Sequence, residues 1–520
     1  MATLTVSALV PAELIRKMDS ASDPQSKLEL LDEALQDESL KGAAQANLFF
    51  QRGLIYKLQK DYFKAIEDFD ASMVISRRNY QALIEKAECL IMVDQLDQAS
   101  LALDTYLLNM PGAARAYVLK GLIFEKEGSL IRAEDEFTRA LNYDPHFASA
   151  LEHRSRLYVR EGKPRKALED IRVWSRISPS NPDLYVFRAE VQIKLRDFES
   201  ALADYARAEA LRHDDQIRKQ RILLFLKTDK PDMALSSAKK ILDENPEDLG
   251  ALVLTARSLI QLGELKRAEA TLNKAVKINP KSPEASLYMG VLKGSLGNND
   301  EALEHLNQAL ELDPRSSEAL KERARVFVNL NDQLRAEIDL TSAADIDPSD
   351  GEIFALRGLT FFHRLLYDAA IQDFSHALEG LPNDSRTLYN RAVCYFRTDD
   401  LERALNDLNI LLKNRPDAGR AYNLRGMVYG IMGKGVEALS DLDKSTSLNP
   451  SDPVVWNNRG FYKYRTGNFD GAIDDFKKAL KLNPDFIFAK NNLMLATDRK
   501  MDSASLYQSF VDNQEWGERK

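Results

Sequence analysis

The pairing in this sequence best able to do chemistry is an arginine followed sixteen residues later by an aspartate, and it recurs eight times. Arg52, Arg154, Arg188, Arg323, Arg357, Arg391, Arg425 and Arg459 precede Asp68, Asp170, Asp204, Asp339, Asp373, Asp407, Asp441 and Asp475, and Lys120 stands in the same relation to Glu136. A guanidinium fork meets a carboxylate in two parallel hydrogen bonds, so the spacing predicts ion pairs between two segments folded against each other. It casts these arginines as structural rather than ligand-binding. Lys86 with Ala102 and Arg221 with Ser237 break the rule, while Thr255 and Met289 face the uncharged Thr271 and His305. Groups for covalent or metal chemistry are sparse. Six His are scattered without ligand spacing, and there is no Cys-x-x-Cys, paired-His helix motif or glycine-rich phosphate loop. Cys89 and Cys394 read as small packing residues. The expectation is no enzyme, no cofactor and no metal.

Composition narrows the class further. Of 520 residues, 44% are hydrophobic and 29% charged, enough to bury a large core and too apolar for disorder. Lys and Arg number 71 against 80 acids, a net charge of −9 that argues against duplex nucleic acid. Two cysteines make no disulfide framework and point to a reducing compartment, the cytoplasm. No signal peptide and no membrane span are expected.

Stepping by 34, prolines fall at 111, 145 and 179 and again at 246, 280, 314, 348, 382, 416, 450 and 484. Registered on them, repeats begin at 46, 80, 114, 148, 182, 215, 249, 283, 317, 351, 385, 419 and 453. The eighth position of a repeat is small in twelve of thirteen, Ile222 being the exception, and the twentieth is Ala in all thirteen. Small residues there let two helices approach closely, and the closing proline ends the second. The predicted organisation is 1–45, an N-terminal segment and capping helix running from 24 to 45; 46–486, thirteen repeats; and 487–520, a C-terminal capping helix and tail. The stretch 182–248 is irregular, with His213 in place of Pro and one repeat a residue short, and predicts a softer joint. Arg16-Lys17-Met18-Asp19-Ser20-Ala21-Ser22 recurs as Arg499-Lys500-Met501-Asp502-Ser503-Ala504-Ser505, either a duplicated docking motif or a relic of duplication.

With Trp456, Gly460, Ala472, Phe476, Ala479 and Pro484, the repeat from 453 resembles the tetratricopeptide repeat family, although Lys463 stands where an aromatic is usual. The resemblance implies an all-α, right-handed superhelical solenoid of antiparallel helix pairs whose concave face binds peptides or partner helices. It implies that positions 2, 5, 9, 12 and 13 face that groove. In the last three repeats these include Arg386, Tyr389, Phe396, Arg397, Arg420, Asn423, Asn457, Phe461, Tyr464 and Arg465, with four arginines and no acid. Such a lining suits an acidic or C-terminal peptide. The clamp by which tetratricopeptide co-chaperones hold the acidic C-terminus of heat-shock chaperones is matched at Asn390 and partly at Arg420. Ala355, Leu359 and Leu424 occupy its remaining places, so that partner is disfavoured. The expected role is a non-catalytic cytoplasmic adaptor or scaffold for other proteins. The alternatives are a structural component of a larger, for example cytoskeletal or ciliary, assembly and a regulatory subunit of an enzyme complex.

Overall fold

Each repeat folds as two antiparallel helices because three of its positions favour that arrangement. The alanine at the twentieth position is fully buried in all thirteen repeats, from Ala65 to Ala472. At the eighth position, glycine makes room for the residue sixteen further on. A Cβ on Gly121 would lie 2.4 Å from Phe137, and one on Gly460 would lie 2.9 Å from Phe476. At the fifteenth position every repeat turns through a positive φ. Six of these residues are glycine and four are Asp or Asn, while Lys60, Arg196 and Leu365 adopt the same conformation against the preference of their Cβ.

The computed structural model describes residues 23–37 and 40–498, with Arg16, Lys17, Ser20 and Ala21 before them. Among the described residues there are 28 helices, α1 (Pro24–Gln36) to α28 (Ile487–Asp498), and no strand. No helix of the described residues is long and apolar enough to cross a membrane. The fold is an all-α solenoid of antiparallel helix pairs. Two compact units divide it, residues 1–238 and 239–520. From the second repeat on, the first helices start at Tyr80, Ala114 and so on to Pro453, while that of the first repeat, α2 (Ala43–Leu58), starts three residues before 46. Ahead of it α1 stops at Gln36 instead of continuing to 45, and buries Leu28 and Leu31. The second copy of the duplicated terminal motif, 499–505, lies outside the described residues.

All eight Arg–Asp pairs form, each with Nε and Nη2 donating to the two carboxylate oxygens over 2.5–2.9 Å. The remaining nitrogen, Nη1, reaches back to the preceding helix. Thus Arg391, on α22 (Ser385–Arg397), holds Asp407 of α23 (Leu401–Asn414) and donates to Ser375 Oγ of the repeat before at 3.0 Å. Lys120 departs from the expectation. Its ammonium donates to Asp104 of the preceding repeat at 2.6 Å, and Glu136 accepts from Arg139 instead. A lysine is a single point of charge without a fork, so it serves one neighbour, and Lys86 likewise turns back to Asp70. Arg221, lacking an acid sixteen residues on, bonds Glu209.

Two outcomes are expected. Arg391→Ala strands Asp407, which is only 1% exposed, and should cost about 3–5 kcal/mol, whereas the Arg391→Ala/Asp407→Ala pair should cost less; urea unfolding followed by hydrogen exchange in α22 and α23 measures both. Leu365→Gly relieves a left-handed residue and should stabilise its repeat by about 0.5–1 kcal/mol in the same assay.

Candidate functional site

Arg386 and Arg420 are the second residues of α22 and of α24 (Gly419–Ile431), one repeat apart, and both are exposed. Between them lies a cleft of about 600 Å³, lined also by Tyr389, Asn390, Arg415, Asn449 and Asp452. Each wall has a local cause. Gly419 lacks the Cβ that would sit 2.4 Å from the Asn449 amide nitrogen, so the Asn449 side chain can lie over the start of α24. Asp384 caps α22 by accepting from the Thr387 amide at 2.8 Å, but at the capping position of α24 stands Ala418, which offers no side-chain cap. Arg415 pairs with Asp417 at 3.1 Å, and Asp452 is engaged as the cap of α26 (Pro453–Arg465), accepting from the Val454 amide at 2.9 Å. Arg386 and Arg420 form no ion pair with a described residue. Three guanidinium groups, that of Arg415 already paired, a phenol, two amides, the capping Asp452 carboxylate and the positive end of a helix dipole thus border one space, and Arg386 and Arg420 in it suit a carboxylate-bearing ligand.

Of the ten residues expected from the sequence, the cleft gathers Arg386, Tyr389 and Arg420. Arg465 is exposed and Arg397 half-buried, and neither lines it. Five others are buried and offer no surface. Phe396, Phe461 and Tyr464 are 6%, 2% and 3% exposed and belong to a core cluster that includes Ala496 of α28. The first helix of the next repeat closes over the face that the expectation left open. Asn423 and Asn457 form rungs of a buried amide ladder: Asn458 donates to Asn423 at 3.2 Å, and Asn492 donates to Asn457 at 3.0 Å. Reasoning from first-helix positions missed Arg415, Asn449 and Asp452, which come from the end of a second helix or the loops between repeats. Gly419, a glycine opening a helix, was the available signal for a side chain packed across it.

The tetratricopeptide repeat family is matched over residues 114–147, 225–288, 289–351, 386–418 and 453–486. These stretches are tetratricopeptide repeats. Over 278 residues it is 24% identical to mouse tetratricopeptide repeat protein 16, covering 48% of this chain and 36% of that one. Over 92 residues it is 32% identical to anaphase-promoting complex subunit 3 of Schizosaccharomyces pombe, covering 18% and 14%. The chain therefore spans about a third or less of the length of these relatives. Among solved structures, the APC/C hetero-tetramer Cut9-Hcn1 covers 93% of this chain and 96% of its own at 17% identity, with a TM-score of 0.48.

Elsewhere several first helices of this tetratricopeptide array answer one another's charges. In the N-terminal unit Glu85 accepts from Lys57 at 2.5 Å and from Arg115 at 2.6 Å, joining three successive repeats. In the C-terminal unit Lys321 donates to Asp350 at 2.7 Å, and the Tyr288 hydroxyl donates to Glu318 at 2.8 Å. Burial alone would raise the Glu85 carboxyl, but the hydrogen bonds and charges of Arg115 and Lys57 outweigh it and hold it at about 2. Both cysteines are fully buried, and burial pushes the Cys89 thiol up to about 11, which keeps it protonated and unreactive. Because the folded value for Glu85 lies below the ordinary 4.5, its contribution is full at neutral pH and is lost as the pH falls through about 2. Glu85→Gln should lower stability at pH 7 by about 2–3 kcal/mol, and the gap from the native protein should narrow at pH 3 in urea titrations.

Proposed function

We propose that this tetratricopeptide protein is a non-catalytic cytoplasmic adaptor or scaffold that takes an acidic segment or a free C-terminus of another protein into the cleft between Arg386 and Arg420. One observation carries the reading. Lys57, Arg115 and Lys321 on other first helices are answered by acids of neighbouring repeats, whereas these two arginines face a cavity and pair with no described acid. An unanswered guanidinium beside an aromatic ring and amide donors binds a carboxylate with two directed bonds, and the neighbouring tyrosine adds contact area at small entropic cost. The exposed Arg465 extends the positive character along the next first helix. No cofactor is needed for this role, and reduced, buried cysteines suit the cytoplasm. The anaphase-promoting complex subunit among the relatives is, by its name, part of a protein assembly, in keeping with work as a scaffold.

The test is fluorescence anisotropy with a labelled peptide ending in Glu and Asp residues. The native protein should bind it with an affinity that falls as salt rises, and Arg386→Ala/Arg420→Ala should weaken binding at least tenfold. Equal binding by the native protein and the variant would remove the cleft as the site. A matched peptide with an amidated C-terminus separates recognition of the terminus from recognition of the acidic side chains.

A further inference from the structure

In a second helix of this array the second, sixth, ninth and thirteenth residues share one face, because steps of four, three and four follow the helical turn. On α3 (Tyr62–Ile75) they are Phe63, Glu67, Asp70 and Val74; on α5 (Leu96–Asn109) they are Asp97, Leu101, Asp104 and Leu108. On α7 (Leu130–Tyr143) they are Ile131, Asp135, Thr138 and Asn142. The bonds from Lys86 to Asp70 and from Lys120 to Asp104 hold each of the first two ridges to the following repeat in the same register. Five of the twelve residues are large and apolar, five are acidic, and none is basic. The apolar five are strongly exposed: Phe63 63%, Val74 80%, Leu101 69%, Leu108 84% and Ile131 77%. The next second helix, α9 (Pro164–Ile177), carries Arg165, Glu169, Arg172 and Arg176 at the same places, so the run of three successive repeats ends there.

We infer that this ridge is a second interaction surface, and that its partner is a basic amphipathic helix of another protein. Strongly exposed apolar side chains recurring on three successive second helices point to a contact surface. The acids among them that Lys86 and Lys120 do not engage, Glu67, Asp97 and Asp135, set the sign of the partner and repel an anionic membrane. Every backbone group here belongs to a helix, so there is no strand edge to extend, and parallel ridges receive a helix whose apolar residues recur at i, i+3 or i+4, and i+7. A second copy of this chain fits poorly, since the basic ridge of α9 carries no apolar residue to fill the surface. The inference does not rest on the cleft at Arg386, which asks for the opposite charge.

The experiment uses the full chain and a fluorescein-labelled 18-residue amphipathic helix of Leu and Lys. Saturable binding that weakens with salt is expected, and Leu101→Lys/Leu108→Lys should reduce affinity at least tenfold. Asp97→Lys/Asp135→Lys keeps the apolar residues and should also weaken binding while flattening its salt dependence. All four positions are exposed, and circular dichroism checks that both variants keep their helix. Three outcomes would overturn the inference: equal affinity in both variants and the native protein, equal binding of a Leu and Glu peptide, or self-association in sedimentation that Leu101→Lys/Leu108→Lys abolishes.

Discussion

One arginine in each of eight of the thirteen repeats, bonded on two sides at once, is the constraint on which the array depends. At Arg391 the fork closes on Asp407 of its own repeat while Nη1 reaches Ser375 of the previous one, so a single side chain fixes the spacing of three helices. A carboxylate as buried as Asp407 is tolerable only when its lone pairs are met by a guanidinium already held in place. The net energy of such a pair is modest, because removing both charges from water offsets much of the attraction. What the pair confers is register. An apolar stripe tolerates sliding by a fraction of a turn, whereas a fork with two parallel bonds and a third behind it does not.

The same constraint explains where the array changes character. Lysine at this position serves one neighbour only, as Lys86 and Lys120 do by turning to the preceding repeat. Thr255 and Met289 serve neither, and Arg221 is drawn to Glu209. These substitutions run through the sixth, seventh and eighth repeats, and the division between the two compact units falls in the sixth. There the registration of helices is left to apolar packing, for which the fully buried Ile222 stands where the other repeats carry a small residue.

Repetition made the fold legible, and the lack of it hid the site. A requirement met thirteen times, such as alanine against the facing helix or the coupling of arginine with aspartate, stands out from one chain alone. Lys120 departs from the pattern because it matches Glu136 in charge but lacks the fork that makes the geometry. Phe461 and Tyr464 were expected to face a groove because their positions do so in the family, but exposure depends on the neighbour stacked next in the array, and here that neighbour is α28. Asn423 and Asn457 have the polarity of ligand-binding residues and spend it on a ladder of amides between helices. Arg415 and Asn449 come from the ends of second helices, where one repeat's sequence does not reveal what the next places opposite.

Self-neutralisation of the first helices gives meaning to the places where it fails. Charges answered within the array, such as Glu85 between Lys57 and Arg115, are spent on cohesion and are costly to redirect to a ligand. Arg386 and Arg420 keep their full donor capacity, so a ligand carboxylate gains bonds there without breaking any. The ridge of Leu101 and Leu108 is open in a different sense, since its apolar area is still hydrated and the acids not engaged by Lys86 and Lys120 favour a cation. The two proposed surfaces lie in separate units and demand ligands of opposite charge, so a partner matched to one is repelled by the other. Discrimination of that kind would let the proposed adaptor hold two proteins without their competing, and it follows from charge placement alone.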